Sequence, residues 1–204
     1  MCFLLMQHIY IYMYIYDIKV ELEQIPTSAH IASRMVFTAS HTYEDIVDCS
    51  VADFGCGPGI LSIASALIGS SFNLGVDIDT EALDTAWVNI RKLDVQETVD
   101  LVQANMENFD VRSDFDTILM NPPFGTRKAG IDTLFLKKAV DKANAVYSLH
   151  KTSTRNHFIK FADANDLNIE VIAELRYDIP KTFKYHKEKS KDIAVDLYRF
   201  THKV

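Results

Sequence analysis

The sequence predicts an α/β protein built on a doubly wound, mostly parallel sheet of seven strands that closes with an antiparallel hairpin. Three observations carry this. β-rich runs alternate with helically spaced apolar residues after residue 17. A glycine cluster sits where the first run gives way to the first helical stretch. The last two runs have no helical pattern between them, so they pair as a hairpin rather than across a parallel crossover. The 204 residues, 48% of them hydrophobic and 24% charged, suffice for one core and exclude a disordered or collagen-like chain.

The elements follow in order. Val51–Phe54 is the first strand and Ile60–Ile68 the first helix; Phe72–Val76 and Glu81–Leu93 are the next pair. Val99–Gln103 and Phe115–Met120 are strands, Ile131–Ala143 is a helix, Ala145–Leu149 a strand and Thr154–Ala164 a helix. Ile169–Leu175 and Ile193–Phe200 form the terminal hairpin. No repeat or low-complexity linker divides residues 17–204, which read as a single domain. Residues 1–16 read differently. They carry no Lys or Arg, are too short for a membrane span, contain Gln7 and His8, and alternate aliphatic and tyrosine residues from Ile9 onward, a pattern that suits a strand. They are expected to lie outside the fold.

Charge and cysteines narrow the function. The net charge of −7 excludes nucleic-acid binding by bulk attraction. The imbalance is local, however: residues 151–204 hold 11 Lys/Arg against 8 Asp/Glu, with a run containing Lys181, Lys184, Lys187, Lys189 and Lys191. Such a run is either a solvated loop or a phosphate-contacting patch, with Lys184 and Lys187 at its centre. Cys2, Cys49 and Cys56 show no paired spacing, which argues against a disulfide framework or a zinc site and for a reducing compartment.

Two motifs carry the chemistry. Asp53-Phe54-Gly55-Cys56-Gly57-Pro58-Gly59 joins the first strand to the first helix. Glycines at alternate positions let a ligand lie against the backbone at the positive end of a helix. Asp77, at the end of the second strand, is placed to accept both hydroxyls of a ribose. A dinucleotide would bring a pyrophosphate to this loop, where Asp53 would repel it. A sulfonium or ammonium would be attracted, so S-adenosylmethionine is favoured over a nicotinamide cofactor. Cys56 lacks a histidine nearby in sequence and reads as a lining residue, not a nucleophile.

The second motif, Asn121-Pro122-Pro123-Phe124, follows the fourth strand, which a doubly wound order places beside the first. The Asn121 side-chain carbonyl and the Pro122 carbonyl can each accept one hydrogen of a planar amine, drawing its lone pair out of conjugation. The prolines restrict the backbone that aims them, and Phe124 offers a face for base stacking. Arg127 and Lys128, just beyond, are candidates for phosphate contact. His150 and Lys151 end the fifth strand on the ligand side; His150 is either an RNA contact or a structural histidine.

These residues resemble the methyltransferase-like protein five family. The likeness rests on the glycine loop, on Leu22–Thr27, Asn121–Thr126, Val146–Lys151, Ile172–Tyr177 and Asp196–Phe200, and it covers residues 17–204. Ile25, Pro58 and Asn105 stand where the family usually has Tyr, Cys and Asp. The resemblance implies a Rossmann-like class I S-adenosylmethionine-dependent methyltransferase that forms N6-methyladenosine in small-subunit ribosomal RNA. It further implies a heterodimer with a small zinc-binding activator subunit and a nuclear, nucleolar and cytoplasmic location. Carried over, Gln24 and Thr27 contact the cofactor, Gly55, Pro58 and Ile60 line its methionine side, Asp77 holds the ribose, and Asn105 and Met106 flank the adenine. Asn121, Pro122, Pro123 and Phe124 hold the target base. The activator is expected at the exposed edge of Val99–Gln103, near Trp87, although Trp87 reads first as an ordinary core aromatic. Methylation of guanine N2 or of a protein glutamine uses similar motifs, and a non-catalytic subunit of the same fold is the third possibility.

Overall fold

The computed structural model describes residues 2, 7, 9, 13, 19, 22, 23, 27–112, 114–178 and 192–203. Seven strands form one sheet in the order β3-β2-β1-β4-β5-β7-β6. They are β1 (Ser50–Phe54), β2 (Phe72–Asp77), β3 (Val99–Gln103), β4 (Phe115–Met120), β5 (Ala143–Lys151), β6 (Leu167–Asp178) and β7 (Asp192–His202). β1 pairs in parallel with both β2 and β4, and β4 with β5. β7 runs antiparallel to β5 and to β6. The doubly wound sheet with a C-terminal hairpin is therefore as the sequence predicts. The helices are α1 (Ala29–His41), α2 (Ile60–Ile68), α3 (Thr80–Lys92), α4 (Ile131–Val140) and α5 (Arg155–Ala164).

The central strands are buried on both faces, as parallel strands between helices must be. Successive residues of β4 feed opposite faces. Leu119 joins Met35, Val36, Leu61 and Tyr147 on one side. Ile118 and Met120 join Phe54, Leu136, Phe158 and Tyr198 on the other. Along the chain, α1 supplies the first of these cores with Ile31, Met35, Val36 and Ala39, and Ser28 caps its N-terminus by accepting from Ile31 N at 3.3 Å. No helix is legible there in the sequence, because Ser, Thr, His and Ala dilute the apolar stripe. Conversely, the helix expected to reach Ala143 stops at Val140. The charged pair Asp141-Lys142 turns the chain out of the helix, and Ala143 pairs with Phe115 in the sheet instead.

Within residues 1–16, the described positions Cys2, Ile9 and Met13 contact the fold. Ile9 is 1% exposed and belongs to the core beside Ile31 and Met35. Met13 packs on two core clusters, and its N–H donates to Ile9 O at 3.0 Å, a helical rather than a strand bond. Cys2 Sγ lies 3.8 Å from Ser33 O. Ile9 and Met13 are part of the fold at these positions, because an apolar side chain gains more from a buried cluster than from water. Among the described residues, no helix is long and apolar enough to cross a membrane.

Candidate active site

The carboxyl ends of β1, β2, β3 and β4 open onto a cavity of about 210 Å³. Gly55, Cys56, Gly57, Pro58 and Ile60 form one wall, Asp77 and Ile78 the next, Asn105 and Met106 a third, and Asn121 and Pro123 the fourth. Leu22, Glu23 and Thr27 approach from the N-terminal segment, and Arg127 and Lys128 stand at the rim.

The glycine loop is held by its own backbone. Gly55 and Cys56 donate to Val76 O at 2.8 and 3.0 Å, and Gly57 donates to Asp77 Oδ2 at 2.8 Å. Gly55 and Gly57 have φ of +76° and +52°, open to glycine at little cost. A Cβ on Gly55 would stand 3.3 Å from the Phe135 ring. Asp77 lines the cavity as expected, its other oxygen accepting from Asp79 N at 2.9 Å. Burial raises its carboxyl above the usual range, against the pull of these N–H donors.

Asp53 does not line the cavity. It is 2% exposed and points beneath the loop, accepting from Ser62 N at 3.0 Å and Ser62 Oγ at 2.8 Å in the first turn of α2. Burial pushes its pKa up to about 7. The expected contact between Asp53 and a cationic ligand is thereby corrected: this carboxylate anchors a helix. Gly59 is likewise outside the wall; it caps α2 at φ +83°, close against Ala86. Burial, with Asp53 and Asp77 nearby, drives the Cys56 thiol well above its usual pKa, so it is no nucleophile. Asn105 Oδ1 accepts from Glu107 N at 2.9 Å, shaping the loop that forms the third wall. Gln24 lies outside the described residues, as do Lys184 and Lys187.

Asn121 sits at the cavity edge with its amide anchored. Nδ2 donates to Thr27 Oγ1 at 3.0 Å and to Tyr177 OH at 3.1 Å. The two anchors fix the orientation of the amide, turning Oδ1 away from them. Thr27 was expected among the cofactor contacts; it lines the cavity and also holds the motif. Tyr177, buried at the end of β6, is a site residue that sequence reasoning missed. Its resemblance segment was visible, but nothing local marks it as a partner of Asn121.

Pro122 is buried beneath the wall and Phe124 is 6% exposed, packed in the core cluster of α1 and α2. Lys151 Nζ lies 5.7 Å from its ring centroid. The expected open stacking face of Phe124 is therefore absent in this conformation; the ring supports the motif from below. His150 is corrected more firmly. It is 1% exposed, shares a hydrogen with Ser148 Oγ at 2.7 Å through Nε2, and stacks 3.7 Å from Phe158. Burial depresses its pKa to about 3, so it is a neutral core residue and not a phosphate contact. Beyond the motif, Glu23 accepts from Thr126 N, Arg127 N and Lys128 N, while Lys128 pairs with Glu107 across the cavity mouth.

Comparison with known proteins settles the family. Residues 27–122 match the ribosomal protein L11 methyltransferase family. The zebrafish (Danio rerio) rRNA N6-adenosine-methyltransferase METTL5 is 48% identical over 187 residues, covering 90% of each chain. The chain belongs to the METTL5 family. The Drosophila melanogaster member is 46% identical, covering 89% of this chain and 87% of that one. A Pyrococcus horikoshii crystal structure, described as a candidate RNA methyltransferase, superposes with a TM-score of 0.87 at 30% identity, covering 100% of this chain and 98% of its own. The fold is that of the class I S-adenosylmethionine-dependent methyltransferases.

Proposed function

We propose that this chain transfers the methyl group of S-adenosylmethionine to N6 of an adenine in small-subunit ribosomal RNA. The observation that carries the proposal is Asn121, fixed by Thr27 and Tyr177 at the edge of the cavity. The glycine loop supports the cofactor assignment, since a side chain at Gly55 would crowd Phe135, and Asp77 stands on the adjoining wall. In this reading Gly55, Gly57, Pro58 and Ile60 hold the methionine end, Asp77 the ribose, and Asn105 and Met106 the adenine. When bound, S-adenosylmethionine supplies an electrophilic methyl group on a sulfonium.

The chain's own residues orient the acceptor. Asn121 Oδ1 and the Pro122 carbonyl accept the two amino hydrogens, which localises the lone pair on nitrogen. Pro123 borders the base, and Phe124 supports the motif from below. No side chain has to act as a strong base, because the proton leaves to water after nitrogen is alkylated. Arg127 at the rim and Lys151 beside the Phe124 ring supply positive charge for the RNA backbone, joined by the run containing Lys184 and Lys187. With such a substrate the reading includes a nuclear, nucleolar and cytoplasmic location.

The partner in this reading is the small zinc-binding activator subunit, docked on the β3 edge. Val102 on β3 is 36% exposed, and Trp87 and Val88 on the adjoining α3 are 44% and 49% exposed. Trp87 is thus no core aromatic, and an unpaired edge with exposed apolar neighbours is the kind of surface a partner strand covers.

The test is methyl transfer from labelled S-adenosylmethionine to small-subunit rRNA by the full chain with its activator, followed by nucleoside analysis. N6-methyladenosine is expected. N2-methylguanosine, or label in protein, would sink the adenine assignment. Asn121→Ala is expected to lower turnover by about a hundredfold or more while leaving cofactor binding intact; wild-type turnover in that variant would remove Asn121 from the chemistry.

A further inference from the structure

We propose that Glu23 is a positioning residue for the transfer: its carboxylate fixes the loop that follows the Asn-Pro-Pro-Phe motif and so sets the geometry in which that motif presents a base. The proposal rests on the reading that Asn121 and Pro122 hold the acceptor amine.

Four donors converge on this one carboxylate. Oε2 accepts from Thr126 N at 2.8 Å and Thr126 Oγ1 at 2.5 Å, and Oε1 accepts from Arg127 N at 2.5 Å and Lys128 N at 3.3 Å. Three successive backbone N–H groups on one anion form a charge-assisted cradle. Residues 125–130 belong to no helix or strand, so Glu23 supplies acceptors that regular structure would otherwise supply. Glu23 adopts φ +52°, a conformation unfavourable for a residue with a side chain, and the four bonds offset that cost.

The same N-terminal segment is tied at two further points. Thr27 Oγ1 accepts from Asn121, at the start of the motif. Lys19 Nζ donates to Asp79 Oδ1 at 2.6 Å, two residues after Asp77. Glu23 holds the far end of the motif, and Leu22, Glu23 and Thr27 all line the cavity. The motif is therefore gripped before and after its prolines by a segment about a hundred residues away in sequence, which also borders the cofactor space.

The experiment compares Glu23→Ala and Glu23→Gln with wild type in the full chain with its activator, measuring kcat, KM for rRNA, S-adenosylmethionine affinity by calorimetry, and Tm. A displaced substrate loop is expected to cost Glu23→Ala about 10- to 100-fold in kcat. Cofactor affinity and Tm should stay near wild type. Glu23→Gln keeps the shape and one acceptor oxygen, so it should recover part of kcat. Wild-type kcat in Glu23→Ala overturns the proposal, and so does equal loss in both variants accompanied by a fallen Tm or lost cofactor binding. Asn121→Ala, run in parallel, separates the two ideas: if it is inactive while Glu23→Ala is unimpaired, only the role of Glu23 fails, whereas full activity in Asn121→Ala fells the motif reading and this proposal with it.

Discussion

An amide that must present its oxygen to a substrate needs its nitrogen occupied, and Tyr177 does half of that work for Asn121. Burial raises the Tyr177 hydroxyl to about pKa 12, so it stays protonated through the working range of pH. Tyr177→Phe leaves the ring in place and removes one anchor. We expect kcat to fall about 3- to 10-fold, the equivalent of one neutral hydrogen bond, with cofactor affinity unchanged. Steady-state kinetics beside calorimetry would show it, and equal losses in both would mean that Tyr177 shapes the whole cavity. A pair of substitutions tests the RNA face. Arg127→Ala, at the rim, should weaken rRNA binding and reduce its salt dependence by about one phosphate contact. His150→Gln, in the core, should leave the salt dependence unaltered, because a buried neutral imidazole touches no phosphate. Asn121 was legible in the sequence because the motif is contiguous. Tyr177 and Glu23 were not, because their contacts with the motif region span 56 and 103 positions and no local pattern encodes such a pairing.

At the scale of elements, the junction of β1 and α2 shows why position in sequence is not position in the site. Asp53 follows two buried strand residues and precedes the glycine loop, so its charge was assigned to the ligand; the pleat turns it under the loop to Ser62 instead. Its protonation therefore bears on stability. The folded pKa of about 7 lies above the ordinary carboxylate value near 4, so the folded state binds the extra proton between those limits. Stability from this group is present at low pH and is lost as pH rises from 4 toward 7, at up to about 1.4 kcal/mol per pH unit. Asp53→Asn can still accept from Ser62 and does not ionise. Relative to wild type it should therefore gain stability between pH 5 and pH 8, read by chemical denaturation at both. A constant difference would mean that Asp53 is ionised in the fold throughout. Elsewhere, apolar-rich runs bounded by turn signals, such as Ile60–Ile68 and Phe115–Met120, are readable to the residue. α1 is not, because small residues suffice where it packs closely against α2, and their polarity hides the helical period.

Over the whole molecule, the first sixteen residues decide how large the cooperative unit is. Their lack of charge and their β-prone alternation point to a segment outside the fold, because no local pattern encodes the core cluster of α1 and α2 residues that Ile9 joins. Ile9 is 1% exposed within that cluster, and Met13 packs on two core clusters. The superposition on the Pyrococcus horikoshii structure extends over 100% of the chain. Removing a buried isoleucine side chain to alanine costs about 2–5 kcal/mol. In a domain of roughly 200 residues each kcal/mol moves Tm by about 2–4 °C. Ile9→Ala should therefore lower Tm by at least about 4 °C, and deletion of residues 1–16 by more, since it also withdraws Met13. Differential scanning calorimetry of the three chains gives the order wild type, Ile9→Ala, deletion. A deletion that melts with wild type would return the leader to the outside of the fold. The predicted order instead makes it a structural support for α1, whose N-cap Ser28 directly follows the Thr27 that anchors Asn121. Loss of the leader should then weaken turnover as well as stability.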